Sequence, residues 1–191
     1  MKHFVRERIC DCIKVEQELL ESESLQEKII DLAQVISKSL KNGGKIILCG
    51  NGGSASDAMH FAGEIVGRFQ KERMAWPAIV LNADIATVTA IANDYGYDNV
   101  FARQMQGHAV SGDTFIGIST SGNSENVYRA VLEAKKAGLK TAALLGKDGG
   151  KIGEAVEYPL VIPCMITARI QESHILLIHI LCELIENGMC T

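Results

Sequence analysis

The stretch Phe115-Ile116-Gly117-Ile118-Ser119-Thr120-Ser121-Gly122-Asn123-Ser124 constrains the chain most, because it reads as a buried strand running straight into a turn crowded with hydroxyls. A helix has to follow at once: from Glu125 the residues Val127, Ala130, Val131, Ala134 and Ala137 recur on one helical face, and Gly138 ends it. Such a turn offers an anion the free N–H groups of a helix N-terminus, the positive end of its dipole, and the hydroxyls of Ser119, Thr120, Ser121 and Ser124. An ordinary Ser N-cap explains one such residue. Four hydroxyls in this short turn, with Gly122 letting the backbone approach closely, favour a bound phosphate.

The same design occurs earlier. Lys45 to Cys49 is a short apolar strand, and Gly50-Asn51-Gly52-Gly53-Ser54-Ala55-Ser56 is a Gly-rich turn before a helix running to about Gln70. It lacks the Gly-Lys-Ser/Thr end of a P-loop and the GxGxxG spacing, so a nucleotide fingerprint does not apply. Asn51 and Ser54 add side chains able to reach a sugar hydroxyl or phosphate. Further strands at 78–81, 113–118, 140–145 and 158–162 alternate with helices at 84–92, 99–108, 125–137 and 167–187, and Asn93 to Tyr97 reads as a turn. That alternation predicts an α/β domain: a doubly wound parallel five-stranded sheet with helices on both faces, over 43–191. Residues 4–42 read as two helices, parted near Ser22 and Ser24 and closed by Asn42-Gly43-Gly44, so that 1–42 form an N-terminal helical extension of one domain, 1–191.

A length of 191 residues suits one domain. The formal charge of −4, without a basic run, argues against a nucleic-acid surface. Met1 to Arg8 holds no apolar leader, and Ile175 to Ile185 is interrupted by His179 and Glu183 and is too short to span a bilayer. A cytoplasmic protein without membrane contact is expected. The six cysteines show no CxxC pair or zinc-finger spacing and are read as reduced thiols. The last helix is apolar nearly all round between Glu172 and Glu183. A single sheet covers only one side of a helix, so this one predicts a homo-oligomer, and the charged first helix is suited to lie against another subunit.

His60 and Glu64 stand four apart on one helix and share a face; Gln171 and His179 are eight apart on the last helix and also share a side. Four such groups could converge on a metal such as zinc, yet the spacing alone favours hydrogen-bonded pairs in the core or at the surface. His179, on its apolar helix, needs a polar partner, and Glu64 could supply one. A carboxylate and an imidazole facing each other across a phosphate site are what proton transfer between adjacent sugar carbons requires. His174 lies roughly 140° around the helix from His179 and should face elsewhere. His108 has no titratable neighbour in sequence.

Taken together, Cys49-Gly50-Asn51-Gly52-Gly53-Ser54-Ala55, His60-Phe61-Ala62-Gly63-Glu64, Asn93-Asp94-Tyr95, Ser119 to Ser124, and Ala168-Arg169-Ile170-Gln171-Glu172 with His179 resemble the sugar isomerase (SIS) fold, and within it the phosphoheptose isomerases. The resemblance covers nearly the whole chain. It implies a flavodoxin-like core, a homotetramer, and conversion of sedoheptulose 7-phosphate into D-glycero-D-manno-heptose 7-phosphate, the first step toward the heptoses of bacterial surface polysaccharide. It further implies that Ser119, Thr120, Ser121 and Ser124 hold the phosphate, that Asn51, Gly52, Gly53, Asn93, Asp94 and Gln171 line the sugar, that Glu64 and His179 are the acid/base pair, and that His60, Glu64, Gln171 and His179 bind one zinc ion per subunit. Where the family commonly carries an acidic residue before Arg-Ile-Gln, this chain has Met165-Ile166-Thr167-Ala168.

Two other functions are carried alongside: a non-catalytic SIS relative that binds a replication initiator, and a sugar-phosphate sensor. The former replaces the residues matching Glu64, His179 and Ser121, which this chain keeps. The latter would bind tightly without turnover.

Overall fold

The computed structural model describes residues 1–190. Two helices, α1 (Lys2–Glu21) and α2 (Glu23–Lys41), precede β1 (Ile46–Gly50), α3 (Gly53–Val66), β2 (Ala78–Val80), α4 (Ile85–Tyr95) and a 3₁₀ turn (Tyr97–Asn99). Then come α5 (Val100–His108), β3 (Thr114–Ser119), α6 (Glu125–Lys136), β4 (Lys140–Gly146), α7 (Gly150–Ala155), β5 (Tyr158–Ile162) and α8 (Thr167–Met189). The five strands pair in the order β2-β1-β3-β4-β5, all parallel.

Strand alternation divides the core in two. Ile46 and Leu48 of β1 face α2, α3 and α8, together with Ile116, Ile118 and Leu144, whereas Ile47 and Cys49 face α5 and α6 with Phe115 and Leu145. Both faces are covered, as a parallel sheet requires. From β1 the chain first winds outward to β2 and then returns to β3 on β1's other side. The order therefore reverses between β1 and β3, where Gly50 is in register with Ile118. Ligands of open α/β sheets bind outside the carboxyl ends of strands at such a point. Both Gly/Ser turns, 50–53 and 119–124, sit there.

Beyond shifts of a residue or two, the fold differs from the sequence reading at two helix ends and in one additional helix. Helix α3 stops at Val66 because the next residues turn to meet α8: the amides of Phe69, Gln70 and Lys71 donate to the carboxylate of Glu186 instead of continuing the helix. Helix α4 runs on to Tyr95, so Asn93 and Asp94 lie on its last turn. The short α7 opens on the second of two consecutive glycines, Gly149 and Gly150, and has no helical periodicity to betray it. It starts where Ile152 N–H donates to Gly122 O and Lys151 N–H to Asn123 Oδ1.

Helix α8 buries Ile170, His174, Leu177, Ile178, Leu181 and Ile185, but Leu176 on its other side remains 40% exposed. His174 is fully buried, with Nε2 3.1 Å from the Leu145 carbonyl and Nδ1 unpartnered. Burial pushes its pKa down to about 4, against the opposing pull of that hydrogen bond. The folded imidazole is thus neutral where an unfolded one, near 6.5, already takes a proton. Stability is complete above pH 6.5 and drains as the pH falls toward 4, by about 3 kcal/mol. Thermal melts of the wild type between pH 7 and 4 should show this slope, and His174→Gln should flatten it; parallel curves would refute the assignment.

Candidate active site

At the end of β3 the hydroxyls of the second turn face one another. Ser119 Oγ lies 2.9 Å from Ser124 Oγ and 3.4 Å from Ser121 Oγ, and Asn123 N–H donates to Ser121 Oγ at 3.1 Å. Ser124 occupies the N-cap position of α6 but makes no side-chain cap bond, because its hydroxyl is turned to Ser119. The ordinary capping role is therefore not the one this serine plays: Val127 N–H turns to Asn126 Oδ1, and the amides of Glu125 and Asn126 are left to face a ligand. Gly122 has φ +67°, and a Cβ there would stand 2.1 Å from the Gly149 carbonyl oxygen, so only glycine lets α7 close against the turn.

The first turn opens α3 in the same way, with Gly52 at the N-cap and no side-chain cap. Ser54 is buried beneath it. A Cβ on Gly53 would lie 2.2 Å from Gln171 Nε2, so the bare backbone here is what admits the Gln171 amide from α8. One helical stripe leads from Gly53 to His60 and Glu64. His60 Nε2 is 3.1 Å from Glu64 Oε1 and 3.4 Å from His179 Nε2. The two imidazoles meet edge to face at 5.2 Å between centroids, and Phe69 stacks on the His179 ring at 5.4 Å. Helices α3 and α8 thus run side by side, with Gln171 against Gly53 at one end and His179 against His60 at the other.

Of the residues singled out from sequence, His60, Glu64 and His179 come together at one nitrogen, and Gln171 joins the Gly-rich turn. Ser119, Ser121 and Ser124 form one hydroxyl cluster with Thr120 between them. Asn93 and Asp94 are exposed and bond to each other at 2.9 Å. The Asn51 side chain is taken up by protein partners, Asn126 and Tyr97. Sequence reasoning passed over Asp57, one turn before His60. Its Oδ2 is buried without a partner, and burial raises its pKa, with the His60 charge opposing. The i, i+3 spacing to His60 was the available signal. Asn126, Tyr97 and Phe69 had none.

Among the described residues no three His, Cys, Asp or Glu side chains form a finished metal cage. The donor set is nonetheless right in kind. A single proton on His60 Nε2 cannot be shared well between a carboxylate oxygen and a second imidazole nitrogen, whereas a divalent cation accepts lone pairs from all three.

A parallel sheet with two uncapped helix N-termini at its switch point, and a carboxylate–imidazole cluster farther along the first of those helices, is the architecture of a protein that handles sugar phosphates. The SIS domain model matches residues 13–146. The phosphoheptose isomerase of Nitratiruptor sp. is 55% identical over 182 residues, 91% of this chain and 97% of that protein. That of Helicobacter pylori is 54% identical over 86% of this chain and 85% of its own. The solved phosphoheptose isomerase of Neisseria gonorrhoeae superposes with a TM-score of 0.92 at 42% identity, covering 97% of this chain and 98% of that one. The chain belongs to the SIS domain family and, within it, to the phosphoheptose isomerases.

Proposed function

We propose that this chain isomerises sedoheptulose 7-phosphate to D-glycero-D-manno-heptose 7-phosphate by way of an enediol, as the first step toward bacterial surface heptoses. The observation that carries the proposal is the meeting of Glu64 and His179 at His60 Nε2, on the helix that opens from the Gly-rich turn at the end of β1, next to the strand β3 whose end carries the hydroxyl turn. The phosphate docks in the turn of Ser119, Thr120, Ser121 and Ser124, and the sugar extends past Asn51, Gly52, Gly53, Asn93, Asp94 and Gln171. One of Glu64 and His179 removes a proton from C1 as O2 gains one, giving the enediol. C2 then takes a proton while O1 gives one up, so the hydrogen count is conserved and C1 becomes the aldehyde.

His60, Glu64 and His179 would hold a divalent ion, zinc by donor type, one per subunit, and Gln171 would complete the set by turning its amide away from Gly53. Such an ion supplies polarisation of the sugar oxygens. The chain's own groups do the rest: Gln171 and the Gly-rich turn position the sugar, and Phe69 stacks on the His179 ring and steadies it.

The proposal includes a homotetramer in the cytoplasm. Its support is the exposed apolar line Val5, Ile9 and Ile13 on α1, each more than half exposed, together with Leu176 of α8. All six cysteines are free, and no helix among the described residues is long and apolar enough to cross a membrane.

The test is to incubate the protein with sedoheptulose 7-phosphate and follow both sugars by NMR, before and after chelation and zinc return. Conversion is expected, falling more than about tenfold on chelation and recovering with zinc. Intact binding without conversion in any state would instead make the protein a sensor.

A further inference from the structure

Asn51 is an obvious candidate to touch the sugar, yet its side-chain amide is already engaged. Its Nδ2 donates to Asn126 Oδ1 at 2.9 Å, while its Oδ1 accepts from Asn126 Nδ2 at 2.9 Å and from the Tyr97 hydroxyl at 2.9 Å. Asn126 Oδ1 also accepts from Val127 N–H at 2.9 Å, and Asn126 is only 3% exposed. This leaves Asn51 one side-chain hydrogen and no acceptor capacity for a ligand.

Two antiparallel amide bonds permit a single relative orientation of the groups that make them, which apolar packing would not impose. The three residues come from three segments: Asn51 from the Gly-rich turn, Asn126 from the first turn of α6 behind the hydroxyl cluster, and Tyr97 from the stretch just after Asn93 and Asp94. These are the three places the proposed substrate touches apart from α8.

We infer that Asn126 and Tyr97 are positioning residues for the isomerisation: with Asn51 they form a hydrogen-bonded hub that fixes the phosphate turn, the Gly-rich turn and the end of α4 in one register. The inference rests on the proposed reading of those turns as the phosphate and sugar sites. Tyr97 separates positioning from mere folding. It is 55% exposed and its hydroxyl bond lies at the surface, so losing that bond should hardly affect stability.

The experiment measures kcat, KM, inhibition by inorganic phosphate and thermal midpoint for Y97F, N51A, N126A, the N51A/N126A double variant and S121A. For Y97F the midpoint should stay within about 2 °C while kcat/KM falls on the order of tenfold, since small misplacement of reacting groups is costly. N51A and N126A should each lower kcat/KM by more than Y97F, and the double variant should be no worse than the poorer single, as members of one unit behave. Wild-type kcat/KM in Y97F, or losses that multiply in the double variant, would overturn the hub. S121A tests the underlying reading separately. If it leaves phosphate inhibition unchanged, the phosphate assignment fails; if it weakens inhibition while Y97F and N126A remain unaffected in kcat/KM, the hub alone fails.

Discussion

Glu64→Gln lowers kcat by about 10²–10⁴-fold, the range expected when a positioned acid or base is removed, while inhibition by inorganic phosphate stays at the wild-type value. The substitution is isosteric and lies on a helix face where the Glu64 side chain is 24% exposed, so the fold is not at stake. The amide can still contact His60, but it can no longer take a proton. His179→Gln should produce a loss of the same order, and the double variant should be no slower than the worse single, because the two groups serve one proton itinerary. Zinc content measured alongside distinguishes the two duties of Glu64. A variant that keeps its metal yet loses turnover has lost the proton carrier; one that loses both has lost a ligand. Wild-type turnover in both single variants would dispose of the acid/base assignment. Loss of phosphate inhibition in Glu64→Gln would mean that the two ends of the site are not independent.

Much of this site could be read from local pattern. The strand, turn and helix at 115–137 and at 45–66 are contiguous in sequence, so the hydroxyl cluster and the Gly-rich turn are visible before any fold is known. His60 and Glu64 share a face by helical period alone. What period cannot supply is the partner on α8: His60 and His179 are 119 residues apart, and their contact depends on how two helices pack on the same side of the sheet. Spacing alone favours two separate hydrogen-bonded pairs; the need of His179 for a polar partner points to Glu64, but only the family resemblance assigns the four residues to one site. Asn126 was hidden for a related reason, since a polar residue beside the apolar stripe of α6 looks like a solvated one until β1 brings Asn51 against it. Asn51 itself was legible as important but not in its role, because what its amide touches is set by segments 46 and 75 residues away. The early end of α3 was overlooked too. Gly67, at the C-cap, was the one stop signal on offer, but nothing local announces that Glu186 will claim the amides that follow.

That claim leads to the largest expected effect on stability. Glu186 is 2% exposed, and its carboxylate accepts from the amides of Phe69, Gln70 and Lys71 and from Arg73 Nε at 2.9–3.0 Å. Arg73, 5% exposed, spends its other donors on the carbonyls of Glu64, Ile65 and Met74 and lies 3.6 Å from the Trp76 ring centre. Removing one partner of such a buried pair strands the other charge and three amides, so Glu186→Ala should cost about 3–5 kcal/mol. For a domain of this size the thermal midpoint should fall by about 10 °C, measurable by calorimetry. Burial works against ionisation of this carboxyl, but the three amides and Arg73 outweigh it and hold its pKa below the ordinary glutamate value. The unfolded state therefore takes up the proton first, and the clamp's contribution is present above the ordinary glutamate range and lost as the pH falls through the lower folded value. This loss should be absent from Glu186→Ala and should set in at lower pH than the His174 slope. The clamp also bears on chemistry, because Phe69, whose amide it holds, is the residue stacked on His179. Arg73→Lys keeps the charge but not the planar fork that reaches three carbonyls and a carboxylate together. At a temperature where the protein is fully folded, it should still lower kcat, whereas a purely structural clamp would leave the rate per folded molecule unchanged.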